Sequence, residues 1–326
     1  MKAIVYERYG PPEVLVSKNI DQPVVKDNEV LVKNLATTVT SGDYRLRSLD
    51  VPTGFKMITK LVFGFNRPRK PVLGMEFAGI VETVGQNVTS FNCGDRVFGT
   101  SNMGAYAEYL AIPEKEPIAT LPKNMSFTEA VAVPFGALSS LVYLRDFGKI
   151  KAGDKVLVNG ASGGLGTYAV QLAKYYGATV TGVCSTANVA LVKSLGADAV
   201  IDYTKEDFST NGETYDIIFD TVGKITFAGC KASLTSNGRF LLAVAGLPDY
   251  LNVLRTAIFS RQKAVAGVAV FKKKDLIFVK ELIEAGRIKA VVDRQYPIAD
   301  IVAAHRYVDK GHKKGSVVIT IAEPPK

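Results

Sequence analysis

The sequence predicts an α/β fold in which a doubly wound parallel sheet is joined to a small barrel or sandwich of short strands. Three observations carry this. A glycine-rich turn, Asn159-Gly-Ala-Ser-Gly-Gly-Leu-Gly166, stands between an apolar run and a helix-like stretch. From about residue 123 strand-like and helix-like segments alternate. Before that point the chain is cut into short β-rich pieces separated by turn signals.

Taken in order, Met1-Lys-Ala-Ile-Val-Tyr6 reads as a first strand, too short an apolar run for a signal peptide. Val30–Val32, Phe77–Val84, Arg96–Phe98 and Ala107–Ile112 follow as strands. Turns such as Tyr9-Gly-Pro-Pro12, Asn92-Cys-Gly-Asp95 and Ser101-Asn-Met-Gly104 punctuate them. The stretch from Leu49 to Pro71 breaks this rhythm with Phe55, Met57, Ile58, Leu61, Val62, Phe63 and Phe65, then Arg67-Pro-Arg-Lys70. Two readings of it stand: an amphipathic flap over a pocket, or a surface insertion packed on the barrel.

Ser126-Phe-Thr-Glu129 is a capping box and opens a helix. Val156, Leu157 and Val158 form a continuous apolar run, as expected of a parallel strand buried on both faces. From about Gly164 to Tyr176, Leu165, Tyr168, Ala169, Leu172 and Ala173 recur at helical spacing. Strands at Thr179–Val183, Ala199–Ile201, Tyr215–Phe219, Arg239–Ala245 and Ala264–Phe271 continue the alternation, with a helix at about Asn188–Leu195. A helix follows Lys274, and the last strand, Ser316–Ile321, returns to the first domain because the alternating unit is already complete.

Composition sets limits. Lys and Arg number 40 against 31 Asp and Glu, a net charge of +9 that suits an anionic ligand or a negatively charged surface. The basic residues are spread along the chain, so no nucleic-acid partner is expected. Cys93, Cys184 and Cys230 show no paired spacing, which argues for a reducing compartment and against a cysteine zinc site. No run of 18 apolar residues exists, so no membrane span or membrane partner is expected, and the cytoplasm is the predicted location.

Glycines 160, 163 and 166 let the backbone turn tightly and approach a pyrophosphate, whose charge sits on the free N–H groups of the helix start. The next strand ends in Cys184-Ser-Thr-Ala-Asn188. An NAD site places a carboxylate about 20 residues past the glycines, to bind the ribose 2′-hydroxyl. No carboxylate occurs here between Gly166 and Asp198. Ser185, Thr186 and Asn188 can instead hydrogen-bond a 2′-phosphate, which favours NADPH over NADH. A plain helix cap remains the alternative role for Ser185 and Thr186.

With these motifs in order, the chain resembles the medium-chain dehydrogenase/reductase superfamily, and within it the zinc-independent quinone oxidoreductase-like branch. The resemblance rests on Met1-Lys-Ala-Ile-Val5, Gly74-Met-Glu-Phe-Ala-Gly-Ile-Val-Glu-Thr-Val-Gly85, Gly94-Asp-Arg-Val-Phe-Gly99, the glycine turn, Leu195-Gly-Ala-Asp198, Ile201-Asp-Tyr203 and Phe219-Asp-Thr-Val-Gly223. It implies a GroES-like β-barrel catalytic domain from residues 1–122 and 272–326, and a Rossmann cofactor domain from 123–271, with the active site in the cleft.

Zinc-dependent relatives hold the metal with Cys, His and Cys. Here Thr40 and Met75 occupy the first two positions, and Val133-Pro-Phe-Gly-Ala137 offers no third ligand. Without a Lewis acid, the acceptors that suit the site are quinones and α,β-unsaturated carbonyls, whose conjugation delocalises the incoming charge. The resemblance further implies cofactor contacts from Ser139 near the nicotinamide and from Ser162, Gly163, Gly164 and Leu165 at the pyrophosphate. Ser185, Thr186, Asn188 and Tyr203 would hold the adenosine phosphate, with Tyr203 equally a packing residue.

Val222, Ala245, Gly246, Val268 and Ala269 would line the crevice at strand ends. Thr40 and Tyr44 are the candidate catalytic residues, Tyr44 as a hydrogen-bond donor to a substrate oxygen or as a buried aromatic. Glu76 is expected to pair with Arg45 or Arg47. A homodimer, through edge pairing of the Ala264–Phe271 strand, is also implied; the alternative is that the chain's own helices cover that strand. The alternative function is an NADPH-binding redox sensor or interaction protein with incidental reductase activity.

Overall fold

The structure is a computed structural model and describes residues 1–323. Two compact units are present. The first comprises Met1–Val51, Lys56–Phe135 and the chain from Phe271 on; the second comprises Pro52–Phe55 and Gly136–Val270.

The second unit is built on a six-stranded parallel sheet. Its spatial order is Ala199–Asp202, Thr179–Cys184, Lys155–Asn159, Tyr215–Asp220, Leu234–Leu242 and Lys263–Ala266. Chain order therefore reverses between Lys155–Asn159 and Tyr215–Asp220, the switch point at which ligands bind in open α/β sheets. Val156, Leu157 and Val158 are fully buried between flanking strands and covering helices, which explains their unbroken apolar run. The helix Gly166–Tyr175 leaves this strand through the glycine turn.

Two strands differ from expectation. The one expected at Ala264–Phe271 stops at Ala266, and the one expected at Arg239–Ala245 runs from Leu234 to Leu242. At both ends lies the Tyr143 hydroxyl, 2.6 Å from the Gly267 carbonyl and 3.0 Å from that of Leu242.

The first unit holds a seven-stranded sheet. Its order is Val292–Pro297, Ser316–Thr320, Glu29–Val39, Glu76–Val84, Arg96–Thr100 and Ile118–Thr120, with Tyr109–Pro113 also paired to Glu29–Val39. Lys2–Tyr6 and Leu15–Asn19 form a separate antiparallel pair. The last strand joins this unit as expected, Val317 lying opposite Val39. The core is drawn from alternating positions, among them Val30, Val32, Phe77, Val81, Val97 and Ile118. Leu15–Asn19, Ile118–Thr120 and Val292–Pro297 escape the sequence pattern because they are short or polar and lack a clean alternation.

The capping box at Ser126 forms: Ser126 N–H donates to Glu129 (2.9 Å), and Glu129 N–H donates to the Ser126 hydroxyl (3.3 Å). Its helix, Phe127–Val131, packs on the first unit's sheet rather than on the parallel one. Residues 123–135 therefore cluster with the first unit instead of opening the second. Within Leu49–Pro71 the structure has a helix, Lys56–Phe63. Among the described residues no helix is long and apolar enough to cross a membrane.

Candidate cofactor site

The glycine turn lies at the C-terminal end of the central strand, at the switch point of the second unit's sheet. Gly160 takes φ +79°, and a Cβ there would stand 2.4 Å from Val222 Cγ2. A Cβ on Gly166 would stand 2.1 Å from the Gly160 carbonyl. These two glycines are dictated by packing. Gly163 is different: its nearest obstacle is the Gly160 carbonyl at 3.3 Å, so the missing side chain leaves an open approach. The helix that follows starts at Gly166 with no side-chain cap. The N–H groups of Thr167, Tyr168 and Ala169 bond back to the turn, to the carbonyls of Gly163 (3.0 Å) and Leu165 (3.1 and 2.9 Å).

Beside the turn, the sheet brings three predicted residues together. Asn188 Nδ2 donates to Ser162 Oγ at 3.1 Å and to Ser185 Oγ at 3.2 Å. The other atom of the same amide, Oδ1, is buried and has no partner among the described residues. Whichever way the amide is turned, one of its hydrogen-bonding atoms stays unspent next to two serine hydroxyls. An unpaired buried polar atom costs free energy unless a ligand or water meets it. The cluster fits the ribose or phosphate end of a dinucleotide.

Thr186 is turned elsewhere. Its hydroxyl donates to Asp202 Oδ2 at 2.5 Å and lies 3.1 Å from Thr204 Oγ1. Asp202 also accepts from Thr204 N–H (3.1 Å) and Oγ1 (2.7 Å), and Lys205 Nζ lies 3.5 Å away. The bond from Thr186, followed by those from Thr204, holds the Asp202 carboxyl down at about 2. Sequence reasoning missed Asp202 because it is far from the glycines in the chain. Parallel pairing places it opposite Cys184, next to the loop that carries Ser185. The signal was its position in Ile201-Asp-Tyr203, at the end of a neighbouring strand. Tyr203 is 57% exposed.

The remaining second-unit candidates are spread over strand ends. Val222 follows Asp220, whose buried carboxylate accepts from the N–H groups of Val222 (2.9 Å) and Gly223 (3.1 Å) and from Asn159 Nδ2 (3.0 Å). This set clamps the tips of the two strands at the switch point. Gly246 caps the helix Leu247–Phe259, and Ala245 precedes it. Val268 and Ala269 lie beyond the end of Lys263–Ala266, with Val268 81% exposed. Ser139 is buried on the helix Pro134–Leu141. The hydroxyl on that helix that reaches the turn is that of Ser140, which donates to the Leu165 carbonyl at 2.9 Å.

Thr40 and Tyr44 belong to the first unit. Thr40 caps the helix Ser41–Ser48 and gives its hydroxyl proton to Asp43 (2.6 Å). Asp43 also accepts from Thr40 N–H (2.8 Å) and Gly74 N–H (2.9 Å), while burial pushes its carboxyl up to about 6. Tyr44 is half-buried, with Arg45 Nε donating to its hydroxyl at 3.3 Å. Glu76 pairs with neither Arg45 nor Arg47, contrary to expectation. It accepts from the Thr38 hydroxyl and from Phe135 N–H (2.7 Å), and burial pushes it up to about 7. Arg47 turns to Asp309 instead, at 2.6 Å. Among the described residues no three His, Cys, Asp or Glu side chains form a metal-binding group.

Comparison with known proteins places these features in a family. Residues 26–123 match the alcohol dehydrogenase GroES-like domain, and residues 195–319 match a family described as zinc-binding dehydrogenase. Thr40, Met75 and residues 133–137 supply no Cys or His side chain. The chain is 32% identical to a 2-methylene-furan-3-one reductase of Solanum lycopersicum, over 98% of this chain and 79% of that protein. It is 32% identical to an NADPH-dependent alkenal/one oxidoreductase from the chloroplast of Arabidopsis thaliana, again over 98% and 79%. The quinone oxidoreductase structure from Coxiella burnetii superposes with a TM-score of 0.86 at 28% identity, over 99% of both chains.

Proposed function

The chain belongs to the medium-chain dehydrogenase/reductase superfamily, in its quinone oxidoreductase-like branch, and on that premise we propose that it reduces a quinone or an α,β-unsaturated carbonyl with NADPH and without zinc. The observation that carries the cofactor reading is the Ser162–Asn188–Ser185 cluster with its unspent amide atom, beside the uncapped helix start. NADPH bound there supplies the hydride. Gly164 and Leu165 hold the pyrophosphate on backbone N–H groups, with Ser162 at the same turn and Gly163, whose own N–H is bonded to the Gly160 carbonyl, leaving the approach open. Ser185 and Asn188 meet the 2′-phosphate, and Tyr203 offers a ring face to the adenine. Thr186 serves that subsite indirectly, by tying its loop to Asp202.

Ser139, Val222, Ala245, Gly246, Val268 and Ala269 we assign to the nicotinamide half, mainly as backbone and packing contacts. Tyr44 donates a hydrogen bond to the acceptor oxygen on which negative charge develops. Thr40 holds the helix that carries Tyr44. The acceptor's conjugation spreads the charge, so the protein's task is orientation. We also assign the protein to the cytoplasm and to a homodimer paired along the sheet edge at Lys263–Ala266, which light scattering of the purified chain would read directly.

The deciding experiment is initial-rate oxidation of NADPH and of NADH by metal-free protein, with a simple quinone and a short enal as acceptors. Turnover with NADPH well above NADH, unchanged by a chelator, is the expected result. NADPH binding without turnover on either acceptor would overturn the reductase reading and favour a sensor.

A further inference from the structure

The helix Lys56–Phe63 is held with its apolar side outward. Thr59 is buried on its inner face, and Phe63 packs against the first unit's core. The Tyr9 hydroxyl donates to the Gly64 carbonyl at 2.7 Å, and Arg69 N–H to the Phe63 carbonyl at 2.7 Å, which pins the end of the helix. On the other side Met57, Ile58, Leu61, Val62 and Phe65 are between 45% and 59% exposed. A soluble surface helix normally turns such residues inward, and a contiguous exposed patch of this kind marks a binding surface.

The same segment is strongly basic. Lys56, Lys60, Arg67, Arg69 and Lys70 flank the apolar patch, and no acidic residue lies between Asp50 and Glu76. Glu76 is itself buried. Glu7, which lies within electrostatic reach of Arg67, is already paired with Lys18 at 2.7 Å. Lys60 Nζ rides over the Phe65 ring at 5.3 Å, so cation and apolar side chain lie at one level.

A partner for this face must accept several large apolar side chains and a rim of positive charge together. A second copy of the chain meeting it face to face would bring like charges into opposition. The interfacial region of an anionic bilayer meets both demands. We propose that the helix Lys56–Phe63 and the basic segment after it seat this protein on anionic membrane surfaces. The apolar side chains would enter the headgroup boundary and the cations would meet lipid phosphates and carboxylates. The absence of a spanning segment does not bear on this mode, which needs only a short amphipathic face.

The test is co-sedimentation of the full chain with phosphatidylcholine vesicles and with vesicles of phosphatidylcholine mixed with phosphatidylserine. Binding to the mixed vesicles, absent from the neutral ones and released by salt, is the expected result. Lys56→Glu with Arg67→Glu should lower partitioning by about tenfold or more, since each basic residue near such a surface contributes roughly a fivefold factor. Leu61→Ser with Val62→Ser should abolish it. All four side chains are exposed, and an unchanged thermal unfolding curve would verify folding. No binding by the unmodified chain would overturn the proposal, and so would equal binding by both variants or equal capture by neutral vesicles. Self-association lost in Leu61→Ser with Val62→Ser would overturn it in favour of an interface between copies.

Discussion

Asp202 decides what Thr186 can do. Read along the chain, Ser185, Thr186 and Asn188 are three equivalent polar candidates for a phosphate. In space the neighbouring strand delivers a carboxylate that takes the Thr186 hydroxyl, while Asn188 is drawn to Ser162 and Ser185. The two kinds of residue should separate on substitution. Thr186→Val removes a hydrogen bond to a charged group and should lower stability, read by urea unfolding, with the NADPH-to-NADH affinity ratio changed less than threefold. Asn188→Ala should weaken NADPH by about tenfold in a fluorescence titration, equivalent to about 1.4 kcal/mol. Ser185→Asp places a carboxylate against the 2′-phosphate and should shift preference toward NADH. Unchanged discrimination in Ser185→Asp would remove Ser185 from the phosphate subsite.

At the scale of elements, the glycine turn shows how one motif divides its labour. A Cβ on Gly166 would stand 2.1 Å from the Gly160 carbonyl, whereas one on Gly163 would stand 3.3 Å from it, a contact that a shift of a few tenths of an ångström relieves. Gly166→Ala should therefore destabilise the second unit by about 2 kcal/mol or more, because backbone must move to admit it. Gly163→Ala should leave the unfolding midpoint nearly unchanged and weaken NADPH about tenfold by blocking the approach to the helix start. Equal losses of stability in the two variants would refute this division. The helix Lys56–Phe63 makes a related point. Its apolar pattern was visible in the sequence, but the pattern does not say which way the face turns. Pinning by Tyr9 and burial of Thr59 decide that.

For the whole molecule, buried carboxyl groups in the first unit contribute a fall of stability as pH rises, opposed below 6.5 by buried His305, which burial holds down at about 3. Burial raises Glu76 to about 7 from its ordinary 4.5, and Asp43 to about 6 from 3.8. Below the ordinary values both groups are protonated whether the chain is folded or not. As pH rises, the unfolded chain ionises first while the native state keeps its protons, so stability falls until the folded values are passed. For Glu76 this loss lies between 4.5 and about 7 and amounts to at most about 3 kcal/mol. Glu76→Gln should remove most of that slope in urea unfolding measured at pH 5 and pH 8. A wild-type slope that persists in Glu76→Gln would assign it to other groups.

The sequence by itself determined the fold class, the glycine turn, the returning last strand and the two kinds of domain. These follow from local periodicity and from backbone positions that only glycine fills, and such signals survive in one dimension. It also shows that Thr40, Met75 and residues 133–137 carry no Cys or His. Only the tertiary structure decided where the strands at Leu242 and Ala266 end, at the level where the Tyr143 hydroxyl, from a distant helix, meets the carbonyls of Leu242 and Gly267. The same holds for Glu76, whose partners Thr38 and Phe135 come from a neighbouring strand and from the first turn of the helix Pro134–Leu141. It also decided that Asp202 belongs with Thr186. Hydrogen bonds between strands join residues whose separation in the chain carries no pattern, so pairing register, not sequence spacing, sets which polar groups remain free for a ligand.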